Sequence, residues 1–315
     1  MSRIDVSTHV DREAYMIADL DTLLIALYVE LVDHIIPAHQ PRRSGPGRPP
    51  QVTDAEPVCP AVAQVLLRYN DERHWLRAAS ARVGHLFPRL LAQSEYNQRL
   101  KQAATLMEAA LRWLAEHTDA SAEPLRLMDA TPIPCGQSRT TSQRSDLFGW
   151  AGYGYESAHS RWYWGVKLLL ITTADGTVTG FGLANPQLFG EREATRQILT
   201  RQPANQPAPG TTVVTDKGLS GQGSEQLFTD LGLLLIRPAR KDEKTPRTFP
   251  NWLRQRIEAI IWTLKNQLGL EQHGGWVPAG LWTRVLQRLL ALNAAIWHNW
   301  TIDAPVKRSL IAYDH

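Results

Sequence analysis

The order of secondary-structure signals in the second half of the chain constrains the fold most. Short apolar runs alternate there with helical patterns, whereas the first 118 residues carry helical patterns alone. The run Leu125–Asp129 precedes two apolar runs, 166–173 and 177–183, which flank Ala174-Asp175-Gly176, a turn sequence typical of a β-hairpin. The following segments predict a helix, a strand, a helix, a strand and two helices, over residues 191–200, 211–215, 220–231, 233–236, 250–268 and 278–300.

Three antiparallel strands followed by β-α-β units indicate a mixed sheet with helices on its faces. This is the strand order of the ribonuclease H-like fold. We therefore predict an α/β (α+β mixed) protein with two parts. A helical N-terminal region, residues 1–118, precedes a ribonuclease H-like mixed five-stranded sheet flanked by helices, residues 119–315, which includes the C-terminal helix. The stretch from residue 135 to residue 159 has low hydrophobicity and predicts a loop.

Composition excludes several classes of protein. Two cysteines, Cys59 and Cys135, are too few for a disulfide scaffold or a Cys-rich zinc module. No apolar run approaches the roughly 20 residues of a membrane span, and the first residues lack the apolar segment of an export signal. No phosphate-binding G-x4-G-K-[ST] motif is present. We expect an intracellular protein without a membrane anchor or a nucleotide cofactor.

Three acids occupy positions typical of a metal site. Asp129 ends the first predicted strand, Asp216 follows the strand 211–215, and Glu258 lies in the long helix after the last strand. The first and fourth strands are neighbours in the predicted sheet, so Asp129 and Asp216 should lie side by side at its carboxyl edge. Two adjacent carboxylates repel unless a cation lies between them, and their oxygens suit Mg²⁺ or Mn²⁺. An Asp at a strand end is also a common turn former, so each acid alone is ambiguous.

Basic residues concentrate near the third acid. The net charge of the whole chain is +3, but residues 237–265 carry eight basic and three acidic side chains, a net charge of +5. Arg254, Glu258 and Lys265 lie close to one stripe of the predicted helix. This pattern predicts contacts with DNA phosphates, although Arg254 and Glu258 also fit an ordinary surface ion pair. The predicted DNA-binding residues are Arg254, Lys265, Lys167, Arg240, Lys241 and Trp252, whereas we interpret Trp262 as a core residue.

Four segments resemble bacterial insertion-sequence transposases of the DDE class. They are Met128-Asp129-Ala-Thr-Pro-Ile-Pro134, Tyr163-Trp-Gly-Val-Lys167, Val214-Thr-Asp216-Lys-Gly218, and Arg254-Gln-Arg-Ile-Glu258 followed by Lys265. The segment from Leu86 to Leu100 also resembles the N-terminal part of one group in this class. Together the resemblance covers most of the chain, from about Thr53 to Trp300.

The resemblance implies a function and a mechanism. Asp129, Asp216 and Glu258 would bind two Mg²⁺ ions, for which Mn²⁺ could substitute. Water would attack at a transposon end, and the freed 3′-hydroxyl would then attack target DNA. The N-terminal helices would help to bind the transposon ends. The expected partners are transposon-end and target DNA with a second copy of the chain, in the cytoplasm of a bacterium.

Two alternatives stay open at this point. The chain could be a catalytically decayed, transposase-derived DNA-binding protein, although such a protein would not need all three acids. It could also be a stand-alone nuclease of the same fold, although about 118 additional N-terminal residues exceed what a simple nuclease requires. A decayed DNA-binding protein would not cleave DNA, and a stand-alone nuclease would cleave DNA without joining strands. These two reactions therefore distinguish both alternatives from a transposase.

Overall fold

The computed structural model describes residues 18–39, 52–136, 138–156, 160–239 and 249–314. The N-terminal region is helical, as predicted. A π-helical stretch, Leu31–Ile35, joins its first two helices. The helices of this region are α1 (Leu20–Glu30), α2 (Ile36–His39), α3 (Ala55–Leu66), α4 (Glu72–Val83), α5 (Gln93–Gln102) and α6 (Ala104–Glu116).

The second part alternates strands and helices. Its strands are β1 (Leu125–Gly136), β2 (Gly152–Glu156), β3 (Arg161–Thr172), β4 (Val178–Ala184), β5 (Thr212–Val214) and β6 (Leu234–Ile236). Its helices are α7 (Arg139–Arg144), α8 (Glu191–Arg201), α9 (Gln222–Asp230), α10 (Asn251–Trp262) and α11 (Pro278–Thr301). A π-helical turn, Thr263–Gln267, continues α10. Within the described ranges no helix is both long and apolar enough to span a bilayer.

The strands form one mixed sheet. Its order is β2-β3-β1-β5-β6, and β4 pairs with β3 beside β2. β1 is antiparallel to β3 and parallel to β5, and β5 is parallel to β6. The path β4-β3-β1-β5-β6 therefore has the predicted ribonuclease H-like order, and the predicted mixed α/β class is confirmed.

The segment predicted as a loop contains a sixth strand, so the expected count of five was wrong. In β2 the sequence Gly152-Tyr-Gly-Tyr-Glu156 turns its glycines inward and its tyrosines outward. The ring of Tyr163 on β3 lies against Gly154, where an added Cβ would be 2.5 Å from the ring. β3 thus supplies the apolar cover of the inner face of β2. The residues of β2 themselves therefore lack the hydrophobic alternation that predicts a strand.

β1 is also longer than predicted, because Asp129 lies within it and does not end it. The strand continues through Pro132 and Pro134 to Gly136, paired with β3 along its length. Pairing with β5 stops at Leu127. Proline has no amide hydrogen to donate and is tolerated where a strand is paired on one side only. The last residues of β1 occupy such an edge position.

Alternating residues of the sheet contribute to two apolar layers. On β3, Leu168 and Leu170 belong to a layer shared with the N-terminal helices and α11. Leu169 and Ile171 face the opposite way, into a smaller layer that includes residues of α8 and α9. This period-two alternation explains why the sequence of β3 appears continuously apolar: both of its faces are covered.

Helix α11 is buried along nearly its whole length and packs on both predicted parts of the chain. It contacts α3 and α6 in the N-terminal region, and it also contacts β4. One apolar cluster contains residues of all these elements. The predicted boundary at residue 118 therefore separates regions of different secondary structure that share a hydrophobic core.

Asn293 on α11 joins the helices to the sheet. Its Oδ1 accepts a hydrogen bond of 2.8 Å from the amide of Val178, the first residue of β4. Its Nδ2 donates to the carbonyl of Val178 at 2.9 Å and to the carbonyl of Leu111 on α6 at 3.1 Å. The side chain is 1% exposed, so water does not compete for these three hydrogen bonds.

We expect Asn293→Ala to lower the free energy of unfolding by about 2–4 kcal/mol, because it removes the side-chain partner of both the buried amide and the buried carbonyl of Val178. Chemical denaturation measures this loss. Asn266→Ala is the matched control, since the exposed Asn266 amide bonds only the nearby Trp262 carbonyl among the hydrogen bonds described, and its change should stay below about 0.5 kcal/mol. Equal effects of the two substitutions would contradict the role of Asn293.

Candidate carboxylate site

The parallel register of β1 and β5 sets the positions of two acids. Leu127 on β1 pairs with Val214 on β5. Asp129 and Asp216 each follow these paired residues by two positions, so they lie at the same level of adjacent chains. Asp216 has left the strand, and its Oδ1 accepts the amide of Gly218 at 2.7 Å. Both acids therefore stand at the edge of the sheet where β5 ends.

Asp129 lies in an unfavourable place for a negative charge. Burial is the largest cause that raises its pKa, which reaches about 7. A hydrogen bond of 2.7 Å from the Ala130 amide opposes this rise, while the charges of Asp216, Glu191 and Glu258 add to it. Three acids from three other segments thus act electrostatically on Asp129.

Glu191 is a fourth acid that the sequence analysis missed. It is the first residue of α8. A Cβ added at Gly218 would lie 2.8 Å from Glu191 Oε2 and 2.9 Å from Asp216 Oδ1, so the two carboxylates lie next to each other. Burial and the charge of Asp216 raise the pKa of Glu191, and Lys167 and Arg192 oppose this.

The local sequence of Glu191 offered only a weak signal. An acid in the first turn of a helix usually complements the helix dipole, and Glu191 fits that role. The glycine at position 218 was visible in the sequence, but the reason for it was not: a side chain there would meet both carboxylates.

Glu258 lies at the rim of the cluster. α10 packs against β1, and the charge of Glu258 contributes to the raised pKa of Asp129. Its side chain is 53% exposed and accepts a hydrogen bond of 2.9 Å from Arg254 Nε. The surface ion pair considered from the sequence is therefore present, and Glu258 also acts electrostatically on Asp129.

The predicted DNA-binding residues occupy different environments. Lys167 on β3 lies close enough to Glu191 to oppose the rise in the pKa of that carboxyl. Arg254 and Trp252 are exposed on α10. Lys265 is mostly buried in ion pairs, at 2.7 Å from Glu271 and 3.6 Å from Glu156. Arg240 and Lys241 lie outside the described residues.

Trp262 was wrongly interpreted as a core residue, since it is 55% exposed. The helical stripe that suggested burial consists of Ile257, Ile260 and Leu264, which are buried on the neighbouring face of α10 and the π-helical turn after it. Trp262 lies between Ile260 and Leu264 in the sequence but outside this stripe, and its ring faces solvent.

The carboxylate oxygens fit a hard divalent cation, because Mg²⁺ prefers oxygen ligands and offsets the repulsion between neighbouring carboxylates. Among the described residues, no three His, Cys, Asp or Glu side chains are already grouped so that they could hold a metal ion. Asp129, Asp216 and Glu191 are the side chains best placed to supply such ligands, with Glu258 at the rim.

The raised pKa of Asp129 makes its contribution to stability depend on pH. The folded state holds this proton more tightly than the unfolded chain, so the contribution is complete below about pH 4 and is lost as the pH rises through about 7. In EDTA, we expect Asp129→Asn to be more stable than the wild type by about 1–3 kcal/mol at pH 8, and the gain should shrink toward pH 4. Denaturant titrations across this range measure it.

Asp146→Asn, which alters an exposed carboxylate, is the control and should change stability little at any pH. A gain for Asp129→Asn that stays constant from pH 4 to pH 8 would contradict the assigned titration.

A scan against protein-family models and searches of curated proteins and of solved structures found no match to this chain. The carboxylate cluster and its position in the sheet are therefore the basis for a functional proposal.

Proposed function

We propose that this chain is a DNA transposase of the DDE class, which cuts transposon ends in a metal-dependent reaction and transfers the 3′-hydroxyl to target DNA. The observation that carries the proposal is the level placement of Asp129 and Asp216 at the end of β5, with the pKa of Asp129 raised to about 7. A buried acid that resists ionisation beside other acids is a poor structural element, but it suits a site completed by a divalent cation.

Asp129 and Asp216 would hold Mg²⁺, with Glu191 and Glu258 completing its ligands. When bound, Mg²⁺ supplies activation of the attacking oxygen and stabilisation of the leaving oxygen in an in-line phosphoryl transfer. Gly218 keeps the oxygens of Glu191 and Asp216 accessible, because a side chain there would contact both. Lys167 offsets part of the negative charge of the cluster, as its effect on Glu191 indicates.

The proposal extends to the partners. The exposed Arg254 and Trp252 on α10 are available to a DNA backbone and a base beside the rim acid Glu258. Joining two transposon ends would require two copies of the chain on DNA. The setting would be the bacterial cytoplasm, and the chemistry would need no nucleotide cofactor.

Cleavage and joining of DNA test the proposal. The substrate is DNA from the two flanks of the protein's own gene, incubated with Mg²⁺, with Mn²⁺ or with EDTA. We expect metal-dependent nicking at defined ends, reduced at least about 100-fold in Asp129→Ala and Asp216→Ala, since metal ligands contribute more than the residues around them. Glu191→Gln should also lower the rate, because its carboxylate adjoins that of Asp216.

Glu193→Gln is the matched control for Glu191→Gln, because Glu193 lies two residues further along α8 and pairs with Arg196. Its rate should equal that of the wild type. Tight DNA binding without metal-dependent cutting would contradict the proposal and favour the decayed DNA-binding protein. Cutting without joining would favour the nuclease.

The environments of Arg254 and Lys265 predict unequal roles in binding duplex DNA. Arg254→Ala should weaken binding and reduce the slope of log affinity against log salt by about 1, because it removes one exposed phosphate contact. Lys265→Ala should have a smaller effect, since Glu271 and Glu156 already neutralise its ammonium group. Fluorescence anisotropy at several salt concentrations measures both.

Arg196→Ala provides the control for Arg254→Ala, because Arg196 is also an exposed arginine in a helical ion pair, with Glu193 on α8. It should leave the salt dependence unchanged. An equal loss of slope in Arg196→Ala would show that net charge alone governs binding.

A further inference from the structure

Beyond Asp129, the sheet continues as a three-stranded antiparallel extension. It consists of the last residues of β1, the first residues of β3 and the whole of β2. Tyr155 pairs with Trp162, and Tyr153 pairs with Trp164, which in turn pairs with Gly136. Residues paired across strands share one face of a sheet, so these four aromatic side chains form a ladder on one face.

The aromatic ladder borders a groove. Its walls include Tyr153, Trp162 and Trp164 of the ladder and Trp276 from the segment before α11. Trp162 is 72% exposed and Trp276 is 66% exposed. Large apolar rings exposed together on a surface usually mark a binding site. In this aromatic groove, Trp162 and Trp276 line one opening.

The aromatic rings are held in position before any ligand arrives. The hydroxyl groups of Tyr153 and Ser142 on α7 form a hydrogen bond of 2.9 Å. The centroids of the Tyr155 and Trp162 rings are 5.3 Å apart. On the opposite wall, His273 Nε2 lies 3.1 Å from the carbonyl oxygen of Pro134, and this contact fastens the segment that leads to Trp276 onto the free edge of β1.

The charges around the aromatic groove are paired with one another. Arg161 Nε donates to Glu156 at 2.6 Å, and Lys265 pairs with Glu271 and Glu156. Among the described residues these two cations and two anions cancel, so this part of the groove carries no net charge that would attract the phosphates of a duplex. What it offers a ligand is planar apolar surface with a polar rim.

Within the ladder Trp164 is buried, whereas Trp162 presents most of its ring to solvent, so a planar group can stack on Trp162 from outside. Unpaired bases are planar, and they stack on exposed tryptophan and tyrosine without regard to sequence. Bases within a duplex are already stacked on each other and cannot enter in this way.

We propose that the aromatic groove binds unpaired nucleotides of DNA by stacking, with Trp162 and Trp276 as the main platforms. This inference rests on the proposed function, in which a DNA strand engaged at Asp129 would run along β1 toward the groove. The groove would hold a strand of the DNA end apart from its complement while the carboxylates act on it.

Fluorescence anisotropy with the full chain in EDTA tests this inference without any cleavage. The probes are a labelled single strand of mixed sequence, about 12 nucleotides long, and the same sequence as a duplex. We expect Trp162→Ala and Trp276→Ala each to weaken single-strand binding about 10- to 100-fold and to leave duplex binding unchanged. Trp162→Phe should retain most of the affinity, because a ring remains.

Trp262→Ala is the matched control, since Trp262 is also exposed but lies outside the groove. It should bind the single strand as the wild type does. Equal losses in Trp262→Ala and Trp162→Ala, or unchanged binding by the two groove variants, would overturn the inference. So would a wild-type protein that does not bind the single strand.

The failure of this inference can be told apart from failure of the proposed function. Asp129→Asn should abolish cleavage but keep the single-strand affinity. Metal-dependent cleavage by the wild type, together with normal single-strand binding by the groove variants, would refute the role of the aromatic groove and support the transposase proposal. Single-strand binding that depends on the groove, without any cleavage, would support the role of the groove and refute the transposase proposal.

Discussion

The carboxylate cluster and the aromatic groove both depend on how β1 is paired. Its first three residues, Leu125–Leu127, pair with parallel β5, and from Leu127 onward β1 pairs with antiparallel β3. After Leu127, β5 ends and only β3 continues. Asp129 stands just beyond this change, where the sheet opens beside it. Three paired residues thus decide that Asp129 meets Asp216, and that the rest of β1 extends as an edge strand.

The edge position of β1 explains features that would otherwise conflict with a strand. Its prolines need no partner on the open side, and the carbonyl of Pro134 is free to meet His273. Burial lowers the pKa of His273, so the neutral ring accepts the Gly275 amide at Nδ1 while Nε2–H donates to Pro134. The contact fastens a segment that includes Trp276 to the extension, and the proposed groove lies between them.

Helix α11 supports these features from the core. Its buried Arg288 donates to the carbonyls of Gly269 and Gln272, at the base of the segment that His273 fastens. Burial and the neighbouring Arg284 lower the pKa of Arg288 to about 9, which means that its positive charge is unfavourable in this place. The hydrogen bonds to Gly269 and Gln272 hold the guanidinium there. Asn293 anchors the start of β4 from the same helix. Buried polar groups of α11 thus fix the sheet and the segment beside it.

The sequence predicted elements well where their pattern was local. The hairpin around Ala174-Asp175-Gly176, the helical N-terminal region and the mixed strand order follow from periodicity and turn residues. β2 escaped prediction because its inward positions are glycines, which Tyr163 covers from β3. Glu191 escaped because an acid at a helix start looks ordinary until Asp216 is placed beside it. Trp262 was misassigned because the helical period does not show how wide the buried face of α10 is.

By itself, the sequence determined the order of the elements and the chemistry available at their ends: carboxylates after two apolar runs and a basic helix carrying a third acid. Only the tertiary structure decided which of these groups meet. It places Glu191 beside Asp216 and Glu258 at the rim of the carboxylate cluster. It also pairs Lys265 with Glu271 and Glu156. The physical reason is the distance along the chain over which each effect acts. Periodicity and turn preference act within a few residues, whereas strand register, burial and ion pairing depend on segments far apart in the chain, whose relative positions are set by the packing of the whole core.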